Sequence, residues 1–314
     1  MRGDKALAYF AFITVCVVWG TTYLAIRVAI ETLPTFLFAG VRFTIAGAIL
    51  MAICAMRGER LPSGRREWGN LTLIGFLMVG VGNVAVIFAE HSISSGITAL
   101  LVATSPFWMA SLEAMRKDGE RMTRRKLIGM IVGFSGVALL VAPEVASGTF
   151  NKAFLLGVIA IQLGAIAWDY GSIRSKYHPV RVSPLVSASA QMLTGGVIVT
   201  IIGLALGEAP RFYFNTRTFV AFSYLVIFGS ILAYGAYVYA LSKLRTSTVS
   251  LYAYVNPAIA VVLGWLILDE SLGIRAIISM SIILGGVALV QSGKSAPKRE
   301  SIVEIEGGAN LDAA

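Results

Sequence analysis

The sequence predicts an all-α integral membrane protein of ten transmembrane helices in two inverted five-helix repeats, and three observations predict it. Of 314 residues, 57% are hydrophobic and only 14% charged, with a mean hydropathy of +0.78, which is far too apolar for a soluble domain. The apolar residues fall into ten runs of near-membrane length, since hydrocarbon about 30 Å thick needs roughly 20 residues per helix. One pattern also occurs twice. Trp19 answers Trp168, Arg42 answers Gln191, Pro106 answers Pro257, and Gly136-Val137-Ala138-Leu139 recurs as Gly286-Val287-Ala288-Leu289, at offsets of 149, 149, 151 and 150 residues. With five spans per copy, the second copy must cross the bilayer upside down. Two inverted halves about a midplane site are the usual construction of a secondary transporter.

The spans follow in order. The first, 6–26, has a charged start, but its long apolar run into Trp19-Gly20-Thr21-Thr22-Tyr23 lacks the short core and cleavage site of a secretory signal, so it is a permanent helix. Spans 36–56, 69–89, 95–115 and 126–142 complete the first repeat, residues 6–142. The segment 142–152, with Pro, Gly and Asn and no period, is the boundary between repeats. Spans 153–173, 183–206, 217–240, 246–267 and 274–291 make the second repeat, residues 153–291. Residues 292–314 are polar and mixed in charge, as in a disordered cytoplasmic tail. Cys16 and Cys54 lie inside spans as small apolar side chains, so no disulfide framework is implied. A barrel would need alternating strands, which continuous apolar runs are not.

The net charge of +9 reflects topology rather than nucleic-acid binding. With the amino terminus cytoplasmic, the cytoplasmic segments hold 20 Lys and Arg and the opposite loops 5, leaving Arg42 inside a span. That is the positive-inside pattern, and it places both termini in the cytoplasm of a bacterial inner membrane protein. The loop after the fourth span is rich in cations (Arg116, Lys117, Arg121, Arg124, Arg125, Lys126), whereas its counterpart (Asp269, Glu270, Arg275) is not. Equivalent loops therefore face opposite compartments, an argument for inversion independent of the residue matches.

The ordered set Val18-Trp19-Gly20-Thr21-Thr22-Tyr23, Ala39-Gly40-Val41-Arg42-Phe43, Ala89-Glu90-His91, Pro106, Gly119-Glu120-Arg121 and Tyr254-Val255-Asn256-Pro257, spread over ten spans, resembles the EamA-type branch of the drug/metabolite transporter superfamily. The resemblance covers residues 8–291 and implies an inner-membrane carrier of small metabolites or drugs, often an exporter, with a central cavity between the halves.

Intramembrane ionisable groups are functional candidates by default, because they are costly unless paired or hydrated. Arg42 lies about six residues, roughly 9 Å, inside the outer end of the second span. It either fixes packing by snorkelling or by bonding a carbonyl, or draws a cargo carboxylate or phosphate into an outer vestibule, with Glu90 neutralising it in the empty state. Glu90 and His91 are the proton-coupling candidates, a carboxyl beside an imidazole at the membrane edge. Asp169 is expected to pair with Arg174 and Lys176, and Glu113 with Arg116 and Lys117 on one surface face. Pro106 and Pro257 should kink their helices at the carbonyls of Val102 and Ala253, with Ser105 and Asn256 alongside, and serve as matched gates. The cavity lining expected beside Arg42 is Trp19, Tyr23, Asn83, Trp168, Tyr234, Tyr237, Tyr254 and Asn256; Tyr177 and Tyr213 are read as interface anchors.

Gly80-x-Gly82-x-x-Ala85 resembles a dinucleotide fingerprint, but no strand precedes it. Gly129-x-x-x-Gly133 and Ser281-x-x-x-Gly285 permit close helix approach, either between the fifth and tenth spans or in a dimer. With two histidines and no zinc-protease motif, nucleophile elbow or phosphate loop, no catalytic residue, metal or cofactor is expected. The expected partners are a small-molecule substrate, the lipid bilayer and a proton, not nucleic acid, in a monomer or homodimer. The rival classes are a membrane enzyme acting on a lipid or small molecule, and a channel-like facilitator.

Overall fold

The computed structural model describes residues 2–117, 119, 121–146, 152–269 and 273–292. The expected tail beyond 292, and residues 147–151 of the boundary segment, lie outside them. The described residues form ten helical rods: α1 (Arg2–Ala29), α2 (Thr35–Met56), α3 (Gly64–Glu90), α4 (Ser95–Ala114), α5 (Arg124–Ala146), α6 (Lys152–Tyr177), α7 (Pro184–Ala205), α8 (Thr216–Lys243), α9 (Thr246–Leu268) and α10 (Ile274–Ser292). Nine of them, all but α5, are long and apolar enough among the described residues to cross a membrane. Large apolar side chains face outward, among them Leu7, Phe10 and Ile13 on α1 and Ile274, Ile277 and Ile278 on α10. Hydrocarbon leaves such residues where they are, because it is as apolar as they are.

The inversion is visible in the contacts. Arg27, near the end of α1, donates to the Glu90 carbonyl at the end of α3, so these two helices finish at one face of the bundle, the Glu90 end. In the other repeat α6 begins there, with Gly157 against Ile93, and finishes at the opposite face, where the Tyr177 hydroxyl donates to Glu113. The first helix of each repeat thus runs the opposite way.

Helices α2 and α7, equivalent in the two repeats, lie antiparallel against each other and carry matched ends. Each closes on a left-handed glycine, Gly58 (φ 70°) and Gly207 (φ 71°), a conformation that costs glycine nothing. The glutamate after each glycine then reaches the opposite repeat. Glu208 accepts from the Leu37 amide (2.8 Å) in the first turn of α2, and Glu59 accepts from Ser183, the residue capping α7. A carboxylate at a helix start satisfies an unused amide and faces the positive end of the helix dipole.

Backbones approach closely where glycines permit it. Gly40, Gly47 and Gly196 seat α2 on α7, and Gly75 and Gly195 bring α3 onto α7. The expected fifth-to-tenth contact forms through Gly129, Gly133 and Gly286. Ser281 and Gly285 instead face outward, with open space beside Gly285. The matched helices α3 and α8 also share a feature hidden from hydropathy, a π-helical stretch in each, Phe76–Asn83 and Leu225–Leu232. The Gly80-x-Gly82 fingerprint lies inside the first of these, a helical setting with no phosphate cradle.

Candidate functional site

Between the repeats lies a cavity walled by residues of both. Trp19, Tyr23, Arg42, Asn83, Trp168, Tyr234 and Asn256 line it, so seven of the nine residues singled out from the sequence converge there. Tyr237 stands directly behind. The matched tryptophans meet edge to face at 5.4 Å, and Tyr237 packs on both, at 5.0 Å from Trp19 and 5.5 Å from Trp168. Tyr254 lies elsewhere, against Ala103, Phe107 and Ile283. The cavity tyrosine of α9 is Tyr252, two residues earlier, 5.1 Å from the Trp19 ring. The two positions lie about 200° apart on a helix, so proximity in sequence could not decide between them.

Arg42 is only 2% exposed. Its Nε donates to Ser230 Oγ (2.9 Å), its Cζ lies 4.7 Å from the Phe43 ring centre, and its Nη1 has no hydrogen-bond partner. The hydrogen-bond partner of Arg42 Nε is thus a neutral hydroxyl of the second repeat. The π stretch of α8 makes the arrangement possible: it presents Ser230 to Arg42, turns the Gly229 carbonyl to Trp19 Nε1 (3.1 Å), and leaves no side chain at Gly229 where a Cβ would press on Arg42 Nη2. Such bulges often sit at functional sites because they displace the regular bonding ladder. Asn83, at the end of the other π stretch, lines the cavity with its Oδ1 also unpartnered. In the orientation assigned from its hydrogen bonds, Asn256 donates to the carbonyls of Tyr252 (3.1 Å) and Cys16 (2.9 Å), pinning α9 to α1.

Two carboxylates differ from expectation. Asp169, 1% exposed, bonds neither Arg174 nor Lys176; Ser105 Oγ lies 2.8 and 2.9 Å from its oxygens. Arg174 turns instead to Asn70 (2.7 Å) and Lys176 to the carbonyls of Leu241 and Leu244. Glu113 is not a surface group either. At 3% exposure it accepts from Thr246 of the second repeat (2.9 Å) and from Tyr177 (3.4 Å), while Arg116 stacks 3.6 Å over the Tyr177 ring. Both carboxylates take hydroxyl partners from another helix, and α6, extending to Tyr177 beyond the expected span end at 173, sets Asp169 deeper in the bundle.

Glu90 is fully buried, and His91 Nε2 lies 3.0 Å from Thr35 Oγ1. Desolvation, with Arg27 nearby, holds the His91 pKa below the ordinary imidazole value, and Glu208 opposes that shift. The imidazole is therefore neutral at physiological pH.

The helix breaks do not coincide with the prolines. In α4 the break is at Ala103–Thr104, and Pro106 sits in the first turn of the segment Ser105–Ala114, where a missing amide hydrogen costs little. Gln162 of α6 fills the gap, accepting from Thr104 Oγ1 (3.0 Å) and Trp108 Nε1 (2.9 Å) and reaching the Leu101 carbonyl (3.4 Å). In α9 the break is at Ser250–Leu251, and the segment Tyr252–Leu268 continues through Pro257. The residues that sequence reasoning missed are Tyr252, an aromatic among several in its span, and Gly229, Ser230 and Gln162, small or ordinary polar types in helices. Only the offset of 149 between the two π stretches, once seen, flags Gly229 and Ser230.

A ten-helix bundle of inverted repeats around one membrane-embedded, aromatic-walled cavity defines a multi-pass membrane transporter. Residues 6–142 and 155–292 each match the EamA-like transporter family, and the chain belongs to that family. It is 34% identical over 296 residues to the uncharacterized inner membrane transporter YedA of Escherichia coli (strain K12), covering 94% of each chain. It is 25% identical over 299 residues to Protein PecM of Dickeya dadantii (strain 3937), covering 95% of this chain and 96% of that one. A protein of known crystal structure shares the fold with a TM-score of 0.69 at 20% identity, over 90% of this chain and 96% of the other. As in the relatives named inner membrane transporters, the setting is the inner membrane.

Proposed function

We propose that this protein exports a small amphipathic metabolite, such as an amino acid or a drug-sized molecule, by alternating access, with both termini in the cytoplasm. The observation that carries the reading is the unpartnered Nη1 of buried Arg42 on the wall of a cavity that also presents the rings of Trp19, Tyr23, Trp168, Tyr234 and Tyr252. A buried donor left unbonded is costly, and a carboxylate or phosphate on the cargo would satisfy it. The Asn83 amide oxygen would accept from a donor on the same molecule, and the rings would hold its apolar body. The breaks beside Pro106 and before Pro257, one in each repeat, would let opposite ends of the cavity close in turn. The positive-inside count supports the orientation, and the naming of YedA as a transporter supports the class.

Reconstitution into proteoliposomes with a panel of labelled metabolites tests this. Saturable flux stimulated by cargo on the opposite side is the expected result; chemical conversion of a compound would identify a membrane enzyme, and non-saturating conductance a channel-like facilitator. The carrier would work as a monomer or homodimer, in contact with lipid and not with nucleic acid. Coupling to protons would run through Glu90, with His91 beside it. Glu90→Gln is then expected to flatten the pH dependence of flux, and an unaltered profile removes Glu90 from the pathway.

A further inference from the structure

Asp169 lies eight residues, roughly 12 Å, from the end of α6 at Tyr177, well inside the bundle. Its hydrogen-bond partner is the Ser105 hydroxyl, at 2.8 Å from one carboxylate oxygen and 2.9 Å from the other. A hydroxyl carries one hydrogen, so it can donate to either oxygen of a carboxylate or accept from a carboxylic acid. One side chain therefore serves both protonation states without a change of position.

No counter-charge stands opposite. Among the described residues the facing titratable groups are Tyr237 of α8 and Tyr252 of α9, both within electrostatic reach of Asp169. Those on α4 and α3 lie farther along, at Glu113, Glu67 and Glu90, and the cations of α3, Arg65 and Arg66, are exposed in its first turn. The two cations that follow on α6 are engaged elsewhere, Arg174 with Asn70 and Lys176 with the Leu241 and Leu244 carbonyls. A permanently ionised carboxylate with one donor and no cation is a poor fit to a membrane interior. A carboxyl that exchanges a proton is a good one.

Ser105 supplies the route. Asp169 is 1% exposed and does not line the cavity, whereas Ser105 does. We propose that Asp169 is a proton-binding site of this transporter and that Ser105 is its relay to the cavity. Ser105 passes its own hydrogen to the carboxylate and takes a proton from a hydronium ion in the cavity, which becomes water, so each uptake moves a single proton and leaves the serine unchanged. The ionised carboxylate holds the hydroxyl hydrogen, and Ser105 then offers the cavity only lone pairs. With the acid formed, the carboxyl donates to Ser105 and the hydroxyl hydrogen is free for cargo. Ser105 is also the first residue after the break in α4, so the same bond ties that break to α6. The consequence for flux rests on the carrier reading; the protonation itself does not.

Infrared difference spectra between alkaline and acid pH, on the full chain in phosphatidylethanolamine and phosphatidylglycerol vesicles, test the proposal without any cargo. A carbonyl stretch of a protonated carboxyl is expected on acidification in the wild type and in Glu90→Gln, and it should be lost in Asp169→Asn. Ser105→Ala should shift its frequency, and Ser105→Thr should return it towards the wild-type position. Asp169→Glu covers the case in which the asparagine variant does not fold, because the band must then move. A band that survives Asp169→Asn, stays fixed in Asp169→Glu, or is missing from the wild type overturns the assignment. A titrating Asp169 band in a protein that moves no member of the metabolite panel supports the proton site and sinks the carrier reading alone.

Discussion

Arg42→Leu is expected to lower flux of an anionic cargo by about 10- to 100-fold at limiting concentration, the cost of losing a charge-assisted hydrogen bond of roughly 1.5–3 kcal/mol. The side chain is buried, its Nε is held by Ser230, and one terminal nitrogen is unpartnered on the cavity wall. Removing it takes away the donor that a cargo carboxylate or phosphate would meet. Folding should survive, because replacing a buried charge by an apolar side chain of similar length is often neutral or stabilising. Arg42→Lys is the sharper variant: it keeps the charge but loses both the planar fork and the Nε contact to Ser230, so partial flux is expected. The measurement is initial flux against concentration in proteoliposomes, with melting of the purified variants as the control. Undiminished flux in Arg42→Leu would remove the anion-binding role on which the proposed cargo chemistry depends.

Gly75→Ala is expected to destabilise the bundle by about 3 kcal/mol, near the upper end of overpacking costs. A methyl group at this position would overlap the backbone carbonyl of Gln191, and Gly195 of α7 packs on the carbonyl of Gly75 itself. The obstacle is backbone in a helix and cannot rotate away. The melting temperature in detergent should fall by roughly 5–10 °C. Gly69→Ala, six residues earlier on the same helix with nothing within 4 Å, is the matched control. It should be neutral or slightly stabilising, since alanine is the better helix former. Equal melting of the two variants would mean that the α3–α7 contact is not a close one.

Much of the candidate site was legible because its signals are chemical rarities in a membrane. Arg42 is conspicuous as a cation inside an apolar run, and Trp19 and Trp168 as matched indoles at an offset of 149. Inversion makes such matched positions converge about the axis between the repeats, and the two rings are in fact in contact. The partners were less legible. Asp169 and Glu113 each have cations three to seven residues on, which invites a same-helix pairing, yet each is satisfied by a hydroxyl from another helix. Tyr254 and Tyr252 are indistinguishable by composition, and only the rotation of α9 about its axis assigns the cavity to Tyr252.

The sequence by itself determined the membrane setting, the ten helices, the duplication and its inverted sense. These depend on sums over many residues, on hydropathy across whole spans and charge across whole loops, and such sums do not change with how the helices pack. Only the tertiary structure decided where α4 and α9 break, where α3 and α8 widen into π turns, and which hydroxyl meets Arg42 or Asp169. Those depend on single contacts a few ångströms long between residues as far as 188 positions apart. No local pattern encodes them, because in hydrocarbon any neighbouring helix that presents a hydrogen-bond partner at the right depth can satisfy a buried polar group.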